Sequence, residues 1–413
     1  MQSIIKKIRG LVLVLMLFLG SIVTATASDF TTTKKLAERG DIEAQYQLGE
    51  LYFEGKEGVQ QDYEKAFEWY LKSANQGYPN AQNGVSTMYY NGVGVDKDYV
   101  KASEWLHKAA AQGYAKSQNN LGILFVHIHN DPAKAFEWFQ KAANQGYAES
   151  QASLGSMYSY GQGVKQDNTK AFEWFQKAAD QGNARGQAYL GEQYLYGEGV
   201  EQDYIKALEL FQKAADQENE IAQFSLAEMY VKGRGVSQSY TKALEWYQKA
   251  ANQGYARGQA NLGGMYARGE GGVHQDYTKA FEWLQKAANQ GDARGQANLG
   301  TLYLFGMGVR QDYAKALELF QKAADQGDAS GQSNLAAIYM NGMGVRQDYA
   351  KAFELYRKAA NQGHQDALIS LGDAYRYGTG VSINKAAAKE WFGKACDNGS
   401  QEGCERYKEL NLR

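Results

Sequence analysis

One phrase, Asn-Gln-Gly with small variations, returns along the chain at a nearly constant interval. Its glycine stands at positions 40, 77, 113, 146, 182, 254, 291, 327, 363 and 399, and Glu218 takes the glycine place once. The intervals are 36 residues, apart from two of 37 and one of 33. A period of this size marks a stacked array, because each unit is a piece of supersecondary structure that cannot bury its own apolar face. Ten units fill 41–399, with a partial N-terminal helix or cap at 28–40 and a capping half-repeat at 400–413.

Every unit carries two helical patterns. The first opens, in unit one, as Ala44-Gln45-Tyr46-Gln47-Leu48-Gly49-Glu50-Leu51-Tyr52. The Ala44 place is small in every unit, the Leu48 place apolar and the Tyr52 place aromatic. Residues four apart share a helix face, so these three positions define one buried stripe, and its small residues admit a close neighbour. A Gly-x-Gly-Val loop follows, as in Gly197-Glu198-Gly199-Val200. The second helix starts at Asp62, Asp98, Asp131, Asp167, Asp203, Ser239, Asp276, Asp312, Asp348 and Asn384, all good N-cap residues. Gly of the Gln-Gly phrase ends it. Unit three lacks the Gly-x-Gly-Val run and starts its second helix at Asp131-Pro132, with proline at the tolerated first position. Length varies only in the loops. With only two prolines in 413 residues, the reading is all-α: an α/α solenoid of ten helix-turn-helix units.

The N-terminus reads as an address. Lys6, Lys7 and Arg9 precede an apolar run, Leu11 to Gly20, and a small-x-small ending at Ala27. That is the layout of a secretory signal peptide over 1–27, and the run is shorter than the roughly 20 residues a membrane span needs. Cleavage near Ala27 leaves an exported chain in the periplasm, at the cell surface or in the medium. No second apolar segment occurs, so the mature chain is expected to lack a membrane span. Without those three cations, 41 basic residues face 46 acidic ones. No basic block remains to neutralise phosphates, and nucleic acid is excluded as a partner. Two cysteines exclude a zinc cluster or a dense disulfide scaffold.

Ala-x-x-x-Leu-Gly-x-x-Tyr, Gly-x-Gly-Val, Asp-Tyr-x-Lys-Ala-x-Glu-Trp and Lys-Ala-Ala-x-Gln-Gly, recurring in phase over 41–399, resemble the Sel-one-like repeat family. That family is a relative of the tetratricopeptide repeats, whose period is about 34 residues. The resemblance implies a right-handed superhelix whose first helices line a concave groove. It also implies roles as adaptors, periplasmic regulators or binders of host proteins among secreted bacterial members. The eukaryotic members with roles in endoplasmic-reticulum quality control fit less well, because no C-terminal membrane anchor is found. Cys-rich relatives have similarly spaced cysteine pairs bridging adjacent helices. By repeat alignment Cys396 falls in the last turn of one helix and Cys404 in the first turn of the next, and an exported chain meets an oxidising compartment. A disulfide stapling the C-terminal cap is expected.

Motifs that could carry chemistry have plainer explanations. The Gly-x-Gly runs follow helices, whereas nucleotide loops follow strands. Ser239-Tyr240-Thr241-Lys242 and Ser382-Ile383-Asn384-Lys385 match the Ser-x-x-Lys spacing of acyl enzymes, and some Cys-rich relatives are linked to β-lactam binding. Ser239, however, is the cap residue of unit six, Lys242 is the repeat lysine, and the companion motifs are missing. His127-x-His129 with Asp131 lies in the shortened loop of unit three, with Asp131 serving as cap and no further ligand supplied. All seven Trp (69, 105, 138, 174, 246, 283 and 391) occupy one repeat position, exchanging with Leu210, Leu319 and Leu355. That exchange reads as packing and not as a row of ligand platforms. No catalytic residue, metal site or cofactor is expected.

Function is expected where the repeat leaves sequence free. Positions one before, two after and six after the Leu48 place share a helix face and vary. Tyr160, Tyr189, Tyr196, Lys232, Arg268 and Phe305 form a stripe there across units four to eight. Aromatic and arginine side chains are the usual anchors of interfaces. The chain is therefore expected to be a non-enzymatic, monomeric scaffold binding a protein or peptide partner in its groove. Two rivals are a hydrolase-like binder of β-lactams or cell-wall peptides, and an envelope assembly factor.

Overall fold

The computed structural model describes residues 30–411, so the expected signal peptide, 1–27, lies outside the described residues. The chain forms two compact units, Met1–Gln202 and Asp203–Arg413, built on the same plan. In the first, a short helix α1 (30–38) precedes the first helices of five repeats: α2 (Ile42–Glu54), α4 (Pro79–Asn91), α6 (Ala115–His127), α8 (Ala148–Tyr160) and α10 (Ala184–Tyr196). They alternate with the second helices α3 (Tyr63–Asn75), α5 (Tyr99–Ala111), α7 (Pro132–Asn144) and α9 (Asn168–Asp180). In the other unit the first helices are α12 (Glu220–Lys232), α14 (Ala256–Arg268), α16 (Ala293–Phe305), α18 (Ala329–Asn341) and α20 (Gln365–Tyr377). Their partners are α11 (Tyr204–Ala215), α13 (Tyr240–Asn252), α15 (Tyr277–Asn289), α17 (Tyr313–Asp325), α19 (Tyr349–Asn361), α21 (Lys385–Asp397) and the terminal α22 (Gln401–Asn411). Within each unit consecutive helices pack on one another, and no strand occurs among the described residues. The fold is the expected all-α solenoid.

Local chemistry sets each helix boundary. The Asp276 carboxylate accepts the amide of Lys279 at 2.9 Å, satisfying a first-turn donor, and the other second-helix caps repeat this bond. First helices other than α6 end on a left-handed glycine, such as Gly161 at φ +67°, and α6 ends on Ile128. Second helices other than α11 and α21 end on glutamine, with the phrase glycine one residue beyond, as at Gly77 with φ +95°. Glu218 holds that left-handed conformation, at φ +62°, without a glycine's freedom.

The core is a pair of columns. Leu48 and its nine repeat equivalents are 0–1 % exposed. Facing them is the residue after each Trp position: Tyr70, Leu106, Phe139, Phe175, Phe211, Tyr247, Leu284, Phe320, Tyr356 and Phe392, all buried. The Trp residues themselves are only half-buried. Each lies under the ammonium of the lysine three residues on, at 3.7–4.1 Å from the ring centre. The Trp column is packed, as expected, but against the flank of the core, and the fully buried place belongs to its neighbour. Close approach of the two helices accounts for the Gly in Leu-Gly: a Cβ on Gly155 would lie 2.6 Å from the Phe175 ring, and one on Gly300 2.7 Å from Phe320.

Candidate protein-binding face

The variable positions all lie on the first helices, but at two levels. The place six after the buried leucine is the last helical residue, immediately before the left-handed glycine in every repeat but the third. In the first unit Tyr160 ends α8 and Tyr196 ends α10, 62 % and 58 % exposed. In the second unit Phe305 ends α16 and is 60 % exposed. Tyr377, which ends α20 in the same place, is 63 % exposed and belongs with them. It stood in the same column of the sequence, outside the stripe.

Lys232 and Arg268 end α12 and α14, and both are engaged within the chain. Lys232 Nζ lies 2.7 Å from Glu228, and the Arg268 guanidinium grips Glu270 through Nε at 2.7 Å and Nη2 at 2.9 Å. Tyr189 sits mid-helix on α10, half-buried, its ring 5.1 Å from that of Phe175 and 5.5 Å from the Arg185 guanidinium. The structure thus brings Tyr189 into packing between neighbouring repeats, and leaves the aromatic helix ends in solvent.

A polar seam joins successive first helices. In the first unit, Asn83 Oδ1 accepts from Asn120 Nδ2 at 2.9 Å and from the Ser117 hydroxyl at 3.1 Å. In the second, Glu228 accepts from Asn261 Nδ2 at 3.1 Å and from the Tyr247 hydroxyl, while Arg294 donates to Asn261 Oδ1 at 2.8 Å. Burial alone would push the Glu228 carboxyl up. The bonds from Lys232 and Tyr247 outweigh it and hold the group below its ordinary value. For Tyr247 the same burial, with the carboxylate beside it, pushes the hydroxyl far up, so it stays a neutral donor.

A cavity of about 180 Å³ opens beside the seam between α4, α5 and α6. Its walls include Thr87, Tyr90, Leu106, Asn120, Ile123 and Leu124.

The chemistry-like motifs fall into structural places. Ser239 Oγ accepts the Lys242 amide at 3.3 Å as the cap of α13, and Lys242 Nζ lies over the Tyr230 ring, 5.1 Å from its centre. Lys385 is the first residue of α21, capped by Asn384. His127 is the exposed end of α6, and the His129 ring rests 5.1 Å from Phe125. Asp131 caps α7, its carboxyl held low chiefly by the Lys134 amide. In the Gly-x-Gly loops the second glycine presses on the preceding repeat: a Cβ on Gly163 would run into the Pro132 carbonyl. Cys396 and Cys404 form a disulfide joining α21 to α22.

One repeated element escaped the sequence reading. The glutamine of the Asn-Gln-Gly phrase reaches back from the end of the second helix to a buried glutamine on the first helix of its own repeat. Gln112 Nε2 donates to Gln82 Oε1 at 2.9 Å, and Gln290 does the same to Gln259 at 2.8 Å. The buried member returns a bond to a helix-end carbonyl, as Gln259 does to Ala251 at 3.2 Å. The signal was present, as Gln45, Gln82, Gln118, Gln151, Gln187, Gln223, Gln259, Gln296 and Gln332 stand in phase.

Comparison with known proteins agrees with this architecture. The Sel1 repeat family model matches ten consecutive segments, 42–78, 79–114, 115–147, 148–183, 184–219, 221–255, 256–292, 293–328, 329–364 and 365–400. A solved protective antigen of uropathogenic Escherichia coli strains, displaying an SLR fold, is 39% identical over 92% of this chain and 82% of that one, with a TM-score of 0.63. A Sel1 repeat protein from Oxalobacter formigenes is 33% identical over 74% of this chain and 89% of that one, with a TM-score of 0.47. Among curated proteins, mouse protein sel-1 homolog 2 is 51% identical over 41 residues, which is 10% of this chain and 6% of the relative. An ERAD-associated E3 ubiquitin-protein ligase component, HRD3A of Arabidopsis thaliana, is 31% identical over 64 residues, 16% of this chain and 9% of the relative. These matches span less than a tenth of either curated relative. Repeats of this kind are interaction scaffolds that bind protein partners, and among the described residues no helix is long and apolar enough to cross a membrane. With ten matched segments covering nearly the whole described chain, the protein belongs to the Sel1 repeat family.

Proposed function

We propose that the chain is an exported, non-catalytic scaffold that holds a protein or peptide partner on the faces that the first helices of the repeats make within each compact unit. The observation that carries this reading is the placement of Tyr160, Tyr196, Phe305 and Tyr377. Each is a large aromatic side chain ending a first helix, and each is more than half exposed. An isolated exposed ring means little, but recurrence in one repeat position within each unit is the composition of an interface anchor. Export is supported by the basic and apolar pattern over 1–27 and by the Cys396–Cys404 disulfide, which suits an oxidising compartment. The Escherichia coli relative is a protective antigen, which agrees with export. A non-catalytic role is supported by Ser239 and Lys242, whose polar atoms serve as cap and ring partner.

The test is affinity capture with residues 28–413 as bait, beside a second bait in which Tyr160, Tyr196, Phe305 and Tyr377 are all replaced by Ala. Helicity of both is checked by circular dichroism. A stoichiometric partner held by the first and lost by the second is the expected result. Equal retention by both baits would place binding elsewhere and overturn the assignment of the face.

A further inference from the structure

The buried column facing the leucines is aromatic in eight of the ten repeats, and Leu106 and Leu284 are the exceptions. Within the first unit the filled version of this position can be compared directly with the unfilled one. The Phe175 ring lies against Gly155 and meets Tyr189 of the next repeat at 5.1 Å. The Tyr70 ring lies against Gly49, and its hydroxyl reaches out to Glu50 on the first-helix face. Leu106 stops short of that reach. Asn120 stands where Tyr189 does and Thr87 where Glu50 does, and between them lies the cavity of about 180 Å³. For scale, an apolar cavity of roughly 150 Å³ in another protein admits benzene. In the second exception the Arg268 guanidinium lies over Gly264, on the same face.

Polar groups at the rim already donate within the protein. Ser86 Oγ donates to Ala102 O at 2.8 Å, Thr87 Oγ1 to Asn83 O at 3.0 Å, Asn91 Nδ2 to Thr87 O at 3.0 Å and Asn120 Nδ2 to Asn83 Oδ1 at 2.9 Å. What the pocket offers an incoming group is the apolar surface of Tyr90, Leu106, Ile123 and Leu124, with Ile123 37 % exposed at its mouth.

We propose that this pocket receives one aromatic side chain, phenylalanine or tyrosine, from a bound polypeptide, which completes the ring position that Leu106 leaves open. The inference rests on the first-helix face being the binding face, and it names the chemistry of one anchor there. An aromatic residue seated in a preformed pocket buries about 150–250 Å² without reorganising its host.

The probes are p-cresol and toluene, the isolated side chains of tyrosine and phenylalanine, titrated into methyl-labelled 28–413. Saturable shifts at Leu106, Ile123 and Leu124 methyls are expected with at least one probe. Two variants close the pocket in different ways. Ser86→Gly with Leu106→Phe restores the glycine–aromatic pairing of the other repeats, and Ile123→Lys alters only the exposed mouth. Each should weaken the probe at least tenfold with helicity unchanged. Absence of shifts in the parent protein, or shifts that persist in Ile123→Lys, would overturn the proposal. A partner lost on the Tyr160 and Tyr196 replacements but fully retained by both pocket variants would overturn this proposal alone and leave the binding face standing.

Discussion

The interior repeats and the last one solve the same packing problem with different chemistry. Inside the array second helices are locked to the first helix of their own repeat by a glutamine pair, such as Gln326 with Gln296 at 2.9 Å or Gln362 with Gln332 at 2.9 Å. At the C-terminal end both members change together: Leu368 takes the buried place and Asn398 the place of the reaching glutamine. Leu368 is 2 % exposed and needs no partner. The terminal helix is held instead by the Cys396–Cys404 disulfide, by Arg406 on Asp373 and by Arg376 on Glu409 at 3.0 Å. A half-satisfied buried amide costs more than an apolar side chain in its place, so the pair is kept whole or removed whole. Among the described residues no further repeat packs on the last one, and α22 is held there by covalent and ionic contacts.

The comparison breaks most visibly at the core column, which does not change at the end. Phe175 and Phe392 are 1 % and 0 % exposed, so Phe175→Ala and Phe392→Ala should each cost about 3–5 kcal/mol in denaturant melts. A loss at Phe392 well under half of that at Phe175 would show a loosely held terminal repeat. Next in size is the cap: replacing Cys396 and Cys404 together by Ala should cost about 2–3 kcal/mol on the loop-entropy model. Hydrogen exchange should confine that loss to α21 and α22, and a uniform loss of protection over α11–α20 would contradict a local staple. Smaller again is the glutamine pair. Gln82→Leu should cost about 1–3 kcal/mol by stranding its partners. The double variant Gln82→Leu with Gln112→Asn, a copy of the terminal solution, should recover more than half of that loss. Strict additivity of the two changes would refute the paired reading.

The smallest effect is a pH dependence in the interior seam. Glu228 titrates below its ordinary value in the folded chain, so its contribution is present above the unfolded carboxylate range. It is lost as pH falls through the lowered folded value. Amide protection in α12 and α13 should therefore fall between neutral and strongly acidic pH, and Glu228→Gln should flatten that fall. An unchanged profile in the variant would assign the acid response to other carboxylates.

Much of this architecture was readable in the chain, for reasons that differ by residue. The caps were legible because N-cap chemistry acts within three residues, as between Asp276 and Lys279. The Leu48 column was legible because a buried position tolerates only apolar side chains. The Trp column misled in part: its exchange with leucine marks contact, but depth of burial depends on which neighbour lies beyond. Only tertiary packing put Phe175 inside and Trp174 on the flank. At the candidate face, Tyr160, Tyr189 and Tyr196 looked equivalent as aromatics in variable positions. Tyr189 differs because Phe175 of the preceding repeat lies within ring contact, which no spacing within one repeat reports. The charges at Lys232 and Arg268 likewise meet Glu228 and Glu270 through rotamers that sequence does not specify.

By itself, the sequence determined the repeat, the ten helix pairs, their caps and the identity of the buried stripe, because those follow from interactions a few residues apart and from a period that recurs. The tertiary structure alone decided which aromatic of each second helix is buried, which glutamines pair between the two helices of a repeat and where a missing ring leaves a pocket. Those outcomes depend on contacts between residues some thirty positions apart, such as the Gln82–Gln112 bond. There, the space available to one side chain is set by the size of another.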